Sequence, residues 1–269
     1  MSLLVSALWV YPVKGMAGNP VASLKFDQHG PVDDRRWMLI DSNGKFVSQR
    51  GFPSLGQFKA SILGQQLTID APDGTQGKVT ASECTREAQA IVWSDDVAVL
   101  MAPDPINQWL SSYFPEPVYL VRYRNDQPRA TNPDYADSTV GFADGFPLLI
   151  CLEDSLNALN VDSPVPLDMR RFRPNIVLSG AAAWSENRWL SLRSETHFLA
   201  VVKPCTRCAV VTIEPGTVEK EPRVLRHLMQ FSQWKKHPVF GQNAVLAEGD
   251  TPVTLGSIFH ASFAEASVG

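Results

Sequence analysis

Apolar positions along the first hundred residues come in short runs broken by turn-forming residues. Trp37-Met38-Leu39-Ile40 and Lys45-Phe46-Val47-Ser48 flank Ser42-Asn43-Gly44, and Asn-Gly between two such runs is the strongest short hairpin signal. Residues 60–63 and 66–69 flank Gly64, Ala71-Pro72-Asp73-Gly74 makes a turn, and 90–93 and 97–101 straddle Ser94-Asp95-Asp96. Short strands at short spacing predict a barrel or sandwich and not βαβ units. At the very start, Val5 to Tyr11 is rich in β-branched and aromatic residues and predicts a strand.

The period then changes. Ile106, Trp109, Leu110, Tyr113 and Phe114 recur at i, i+3, i+4, i+7 and i+8, with Asp104 as cap, Pro105 in the first turn and Pro115 beyond the end. This predicts an amphipathic helix that packs on a core and carries no chemistry. A polar stretch with Pro128 and Pro133 follows over 124–139, as a loop or domain junction. Beyond it, strands are predicted at 146–151, 176–178, 198–202, 209–213 and 244–246, and short helices at 153–160 and 222–229. The fold class is mainly β with a few short helices.

Among 269 residues, 44% are apolar and 19% charged, enough to bury a sizeable core. A net charge of -4 argues against a general nucleic-acid binder. No apolar run reaches the roughly 18 residues needed to cross a bilayer, so no membrane partner is expected. The apolar start has neither a basic stretch before it nor a small-residue cleavage site after it. Four cysteines (Cys84, Cys151, Cys205, Cys208) are too few for a disulfide scaffold of this length, and the expectation is a cytoplasmic protein.

Candidate chemistry starts at Lys203-Pro204-Cys205-Thr206-Arg207-Cys208. A Cys-x-x-Cys pair serves half of a zinc site, a redox dithiol or a soft-metal ligand set. The other two cysteines lie far apart in sequence and the five histidines form no ligand-spaced pair, against the four ligands of structural zinc. A strand predicted at 209–213 disfavours a thioredoxin-like arrangement. Spacing alone leaves packed cysteines and functional ones equally open, but Lys203 and Arg207 favour a thiolate. Arg170, Arg171 and Arg173 cluster before Pro174-Asn175, either as a solvated face or as a grip for phosphate or carboxylate. Tyr11-Pro12-Val13-Lys14-Gly15 and Asp33-Asp34-Arg35-Arg36-Trp37 are weaker signals of the same kind.

Together these segments resemble one family, the MOSC proteins with a matching N-terminal β domain, which include the mitochondrial amidoxime-reducing component and bacterial YcbX-type proteins. The resemblance runs through Lys14-Gly15, Arg35-Arg36-Trp37, Phe142-Ala143-Asp144-Gly145, Arg171-Phe172-Arg173-Pro174-Asn175, Cys205-Thr206-Arg207-Cys208 and Phe240-Gly241-Gln242-Asn243, in the family's order. It implies an N-terminal β-barrel-like domain over 1–120 and a MOSC β-barrel domain over 121–267, with the molybdenum cofactor (molybdenum on one molybdopterin) in a cleft between them. It also implies roles. Cys208 would ligate the metal and Cys205 would not. Lys14, Arg35 and Arg173 would hold the phosphate tail, and Asn175, Thr206 and Arg207 would add hydrogen bonds near the metal. Gly15 and Asn243 would line the site and depart from the mitochondrial relative, which has serine and tyrosine there. Asp144 would handle protons.

The implied activity is reduction of N-hydroxylated compounds such as amidoximes, hydroxylamines or N-hydroxylated bases. No cysteine follows Cys208 to build an iron-sulfur cluster, so electrons are expected from a separate ferredoxin-, flavodoxin- or reductase-type donor protein. The competing expectations are a non-redox cofactor carrier or sulfur-transfer protein, and a β protein in which the two cysteines only pack.

Overall fold

A computed structural model describes residues 2–264. The chain opens with β1 (Ser2–Val10), a strand that joins the second half of the chain. The longer strands of the rest of the first half form two sheets. One has the order β6 (Arg86–Val92), β7 (Asp95–Met101), β8 (Tyr119–Tyr123) and β2 (Trp37–Ile40), all antiparallel. The other is the meander β3 (Lys59–Leu63), β4 (Gln66–Asp70) and β5 (Gln76–Thr80). Helix α1 (Asp104–Ser111) touches β5 and β8, and its predicted stripe of Ile106, Leu110 and Phe114 enters the core with Trp37, Leu39 and Phe58. Each fully buried side chain there contributes about 1.5–3 kcal/mol.

All four residues of β2 are buried because the strand divides two cores. Trp37 and Leu39 face the α1 side, while Met38 and Ile40 pack with Val99, Val121 and Phe142 on the other. The predicted partner at 45–48 makes isolated bridges, Ile40 with Phe46 and Lys45 with Ile91, and is not a strand. The turn itself closes as expected, with the Asp41 amide donating to Lys45 O at 2.9 Å.

In the second half, β9 (Leu148–Leu152) pairs parallel with β10 (Ile176–Ser179), which pairs with β1. From β1 the sheet continues through β14 (Ile258–Phe263), β11 (Trp189–Arg193), β12 (Phe198–Thr206) and β13 (His237–Glu248), and β13 returns to β9. Seven strands therefore close a barrel, which leaves no unpaired edge along the ring. The first strand lies in the unit read from sequence as 1–120, yet it is a stave of this barrel. Residues 265–267 of the second unit lie outside the described residues.

Alternation decides which core each barrel residue enters. Along β9, Leu148, Ile150 and Leu152 fill the barrel, whereas Leu149 and Cys151 lie under α2 (Glu153–Asn160), α3 (Arg223–Phe231) and two 3-10 turns, Met169–Phe172 and Ala209–Thr212. In β1 a bulge between Val5 and Ala7 resets the alternation, so Leu3, Val5 and Leu8 all point inward.

The strand predicted at 209–213 is thus corrected to a turn. The β-branched run Val210-Val211-Thr212 fits a strand locally, but Val211 packs beside Val224, Leu228 and Phe240, and Thr212 Oγ1 bonds back to Ala209 O at 2.7 Å. Packing under α3 overrides β propensity. Helix α3 ends two residues later than expected, and α2 occupies the predicted 153–160.

Candidate functional site

A cleft runs between the two halves, lined by residues of both, the kind of concave surface on which small molecules bind. Lys14, Gly15, Arg35, Asp144, Arg173, Asn175, Thr206, Arg207, Cys208 and Asn243 all line it, although they come from six separate stretches of chain.

The sulfur wall is the end of β12. Register shifts between Val201 and Lys203 and between Pro204 and Thr206 break the ladder to β13, and Pro204 has no N–H to restore it. The strand bends there and delivers Cys205 to Cys208 to the cleft. Gly241 on β13 makes the close approach to β9 possible, with φ +75° and an added Cβ only 2.6 Å from Cys151 Sγ. Cys208 is exposed and begins the turn Ala209–Thr212. Cys205 is half-buried against the α3 core, and burial pushes its thiol pKa up. All four cysteines are free thiols, and no group of three or more metal-ligating side chains occurs among the described residues. A single exposed thiol is therefore the soft ligand on offer.

The basic wall is built from αL corners. Arg35 (φ 48°) and Arg173 (φ 54°) both adopt this conformation, sparsely populated for non-glycine residues and kept where the surroundings over-determine it. Their guanidinium carbons each lie 4.3 Å from the Tyr11 ring centroid. Arg35 ion-pairs with Asp34 and donates to Asn175 Oδ1 (3.1 Å) and Arg173 O (3.0 Å). Arg173 donates one bond, Nη1 to Met16 O at 2.7 Å, while its Nη2 is buried without a partner. Burial, with the Arg35 charge adding to it, lowers the Arg173 pKa to about 10. A desolvated guanidinium with an unused donor in a cleft calls for an anion.

The other predicted residues divide by how their polar atoms are used. Asn175 is 0% exposed; its Oδ1 accepts from Arg35 and from the Leu149 amide (3.2 Å), and its Nδ2 donates to Trp9 O (3.3 Å). It braces Arg35 from behind. Arg207 donates to Phe240 O from Nε (2.9 Å) and Nη2 (2.6 Å), and to Phe172 O from Nη1 (2.9 Å), which fixes the cysteine loop on the barrel. Asn243 Nδ2 bonds Lys203 O at 3.2 Å across the bulged ladder. Thr206, exposed at the strand end, makes no side-chain hydrogen bond among the described residues. Gly15 (φ +87°) has no room for a side chain, since a Cβ would sit 2.5 Å from Leu55 Cδ2.

Lys14 is buried, donates to Phe142 O at 2.8 Å, and ion-pairs with Asp144. Burial draws its pKa down against the pull of Asp144. The enclosing cleft disfavours charge on Asp144 too, but the Lys14 ammonium, its hydrogen bond and the Trp93 indole N–H hold that carboxyl below the ordinary carboxylate range. Arg129 fixes the loop that carries Asp144, with Nη1 to Ala143 O at 2.7 Å, Nη2 to Asp144 O at 3.1 Å and Nε to Asp95 at 2.7 Å.

Sequence reasoning missed Arg129 and much of the wall from the first half: Phe46, Val47, Ser48, Gln49, Arg50 and Trp93. The one local signal was Trp93, an aromatic residue where a hairpin turn usually has glycine or asparagine.

Two family profiles match the chain, the MOSC N-terminal beta barrel domain over residues 2–117 and the MOSC domain over 137–257. Mitochondrial amidoxime-reducing component 1 of Xenopus laevis is 28% identical over 264 residues, covering 89% of this chain and 76% of that protein. The Homo sapiens protein of the same name is 29% identical over 276 residues, covering 92% and 80%. A molybdenum cofactor sulfurase of Oryza sativa subsp. japonica is 28% identical over 262 residues, 88% of this chain but only 32% of the sulfurase.

Proposed function

Because the chain belongs to the family that joins an MOSC N-terminal beta barrel domain to an MOSC domain, we propose that it binds a molybdenum cofactor and reduces N-hydroxylated compounds. One observation carries this reading: an exposed thiol, Cys208, shares a cleft with a half-buried cation, Arg173, whose buried Nη2 has no partner. The residues present fit the cofactor's two ends. Cys208 would ligate the soft metal, and Arg173, with its free donor, would take the phosphate of the pterin tail. Arg35, Asn175 and Arg207 would act by holding these groups in place, since most of their donors serve protein acceptors.

When bound, molybdenum supplies two-electron chemistry at oxygen, the step that cleaves an N–O bond. The net reaction converts an N–OH group, two electrons and two protons into an N–H group and one water, so both protons must reach the site. Asp144 is held ionised and is a poor donor, so the proton is held on Lys14 Nζ, whose lowered pKa eases its release. The Lys14–Asp144 pair then recharges from solvent, to which Asp144 opens. Electrons would come from a separate ferredoxin-, flavodoxin- or reductase-type protein. Four free thiols favour the reducing cytoplasm as the compartment, and no helix among the described residues is long and apolar enough to cross a membrane.

Protein made in a cofactor-competent host should contain molybdenum and reduce benzamidoxime with an artificial electron donor. Cys208→Ser should lose the metal, and Cys205→Ser should keep most of it. Full metal loading with no turnover across amidoximes, hydroxylamines and N-hydroxylated bases refutes the reductase reading. The alternative, a cofactor carrier or sulfur-transfer protein, draws on the neighbouring thiol of Cys205. It requires release of the cofactor to an apo-acceptor, which stable retention through redox cycling rules out.

A further inference from the structure

At the tip of the β6–β7 hairpin, Val92 pairs with Asp95, so Trp93-Ser94 form a two-residue turn. Trp93 takes φ +61° there. Asparagine or glycine adopts this conformation readily, whereas an ordinary side chain costs about 1–3 kcal/mol. The indole gained at that cost is not buried: Trp93 is 44% exposed. It is nevertheless held by three neighbours. The Phe46 ring lies 5.1 Å away, the Arg50 guanidinium sits 4.4 Å over the indole, and Nε1 donates to Asp144 Oδ1 at 3.3 Å. Arg50 has no acidic partner among the described ion pairs and no hydrogen bond among the described residues. Phe46, Trp93 and Arg50 line the same cleft as Cys208, and neither metal ligation nor the phosphate grip uses any of them.

We propose that Phe46, Trp93 and Arg50 form a substrate-selecting rim, which takes planar conjugated N-hydroxylated substrates that carry an anionic group. The conjugated body packs on the aromatic pair, and a carboxylate or phosphate meets the Arg50 guanidinium. Arg50 suits this task because stacking on a strained, pinned indole pre-orients its planar fork, so little side-chain freedom is lost when an anion binds. Trp93 also links substrate to proton supply, since its N–H touches the carboxylate paired with Lys14. The inference rests on the reductase reading for the N-hydroxy group but on these three side chains alone for the aromatic and anionic preference.

The test uses the full chain loaded with cofactor, with molybdenum content measured for every variant. Kinetics are compared for 4-carboxybenzamidoxime, benzamidoxime and acetamidoxime, and binding of the unreactive 4-carboxybenzamidine is followed by calorimetry. The parent should favour the three in that order by kcat/KM. Arg50→Gln should cut the preference for the carboxylate over benzamidoxime by roughly 10-fold or more, the range for a charge-assisted hydrogen bond. Trp93→Gly, which suits the turn, should cut the preference for benzamidoxime over acetamidoxime by roughly 10-fold, the range for one stacking contact. Arg50-dependent binding of 4-carboxybenzamidine without any turnover sinks the reductase reading and leaves the rim standing. Turnover with equal preferences, unchanged in both variants, overturns the rim.

Discussion

Replacing Arg173 with glutamine separates a residue kept for the fold from one kept for a ligand. The guanidinium lies against Tyr11 and spends one bond on Met16 O at 2.7 Å, with Nη2 buried and idle. Lowering its pKa from 12.5 to about 10 corresponds to a cost of about 3 kcal/mol for keeping the cation there, at about 1.4 kcal/mol per tenfold change in proton affinity. Glutamine relieves that cost and surrenders a charged hydrogen bond of about 2 kcal/mol and a ring contact of about 1 kcal/mol. The backbone at φ 54° is equally strained in both. These magnitudes cancel, so the ligand-free variant should match the parent within about 1 kcal/mol, whereas deleting one partner of a satisfied buried pair costs about 3–5 kcal/mol. Pyrophosphate then discriminates. At a hundred times its Kd it should stabilise the parent by about 2.7 kcal/mol and the variant by much less. Urea unfolding at matched ionic strength reads both quantities. A ligand-free loss above about 3 kcal/mol, with no response of the parent to pyrophosphate, would mean that Arg173 serves the fold and not an anion.

Three further outcomes are expected. Glu186 is 1% exposed, with Oε2 on Ser155 Oγ at 2.8 Å and Oε1 unpartnered, and burial raises its pKa to about 7 from 4.5. Because the folded value is the higher one, its contribution is intact below about pH 4.5 and is lost as pH climbs through 7, by about 3 kcal/mol in total. Glu186→Gln should therefore raise stability at pH 8 and not at pH 4.5 in denaturant titrations; an equal effect at both would contradict this. Gly15→Ala forces a Cβ against Leu55 at φ +87° and should cost about 2–3 kcal/mol, visible as a lowered Tm; an unchanged Tm would show that the loop yields freely. Asn107, 3% exposed, joins α1 to the sheet by accepting from the Leu120 amide and donating to Ala102 O, both at 2.8 Å. Asn107→Ala strands a buried amide and should cost about 2–3 kcal/mol, which urea midpoints would check; a loss under about 1 kcal/mol would assign the link to packing.

Much of the local structure was readable because its signals are local. The apolar stripe at 106–114 needs only the helical period, and the turns at Gly44, Gly64 and Gly74 need only their own φ values, all positive. The candidate residues were readable one motif at a time, and their order pointed to the family before any contact was known. What stayed hidden has a common cause. Phe46 and Arg50 sit in ordinary loop contexts, and although Trp93 is unusual for a hairpin turn, nothing in its neighbours indicates that the hairpin tip reaches Asp144, 51 positions away.

The periodicity and chemistry of the chain determined that short strands would form, that α1 would be amphipathic, and that a thiol and several arginines were available for a site. Only tertiary structure decided that β1 would leave the first half to close the barrel, that Ala209–Thr212 would turn under α3 in place of extending, and that Arg35, Asn175 and Arg207 would brace while Arg173 kept a free donor. The physical reason is range. Periods of 2 and 3.6 are set by neighbouring residues, but closure of a ring and desolvation of a guanidinium depend on partners more than a hundred residues apart, and no local pattern carries that information.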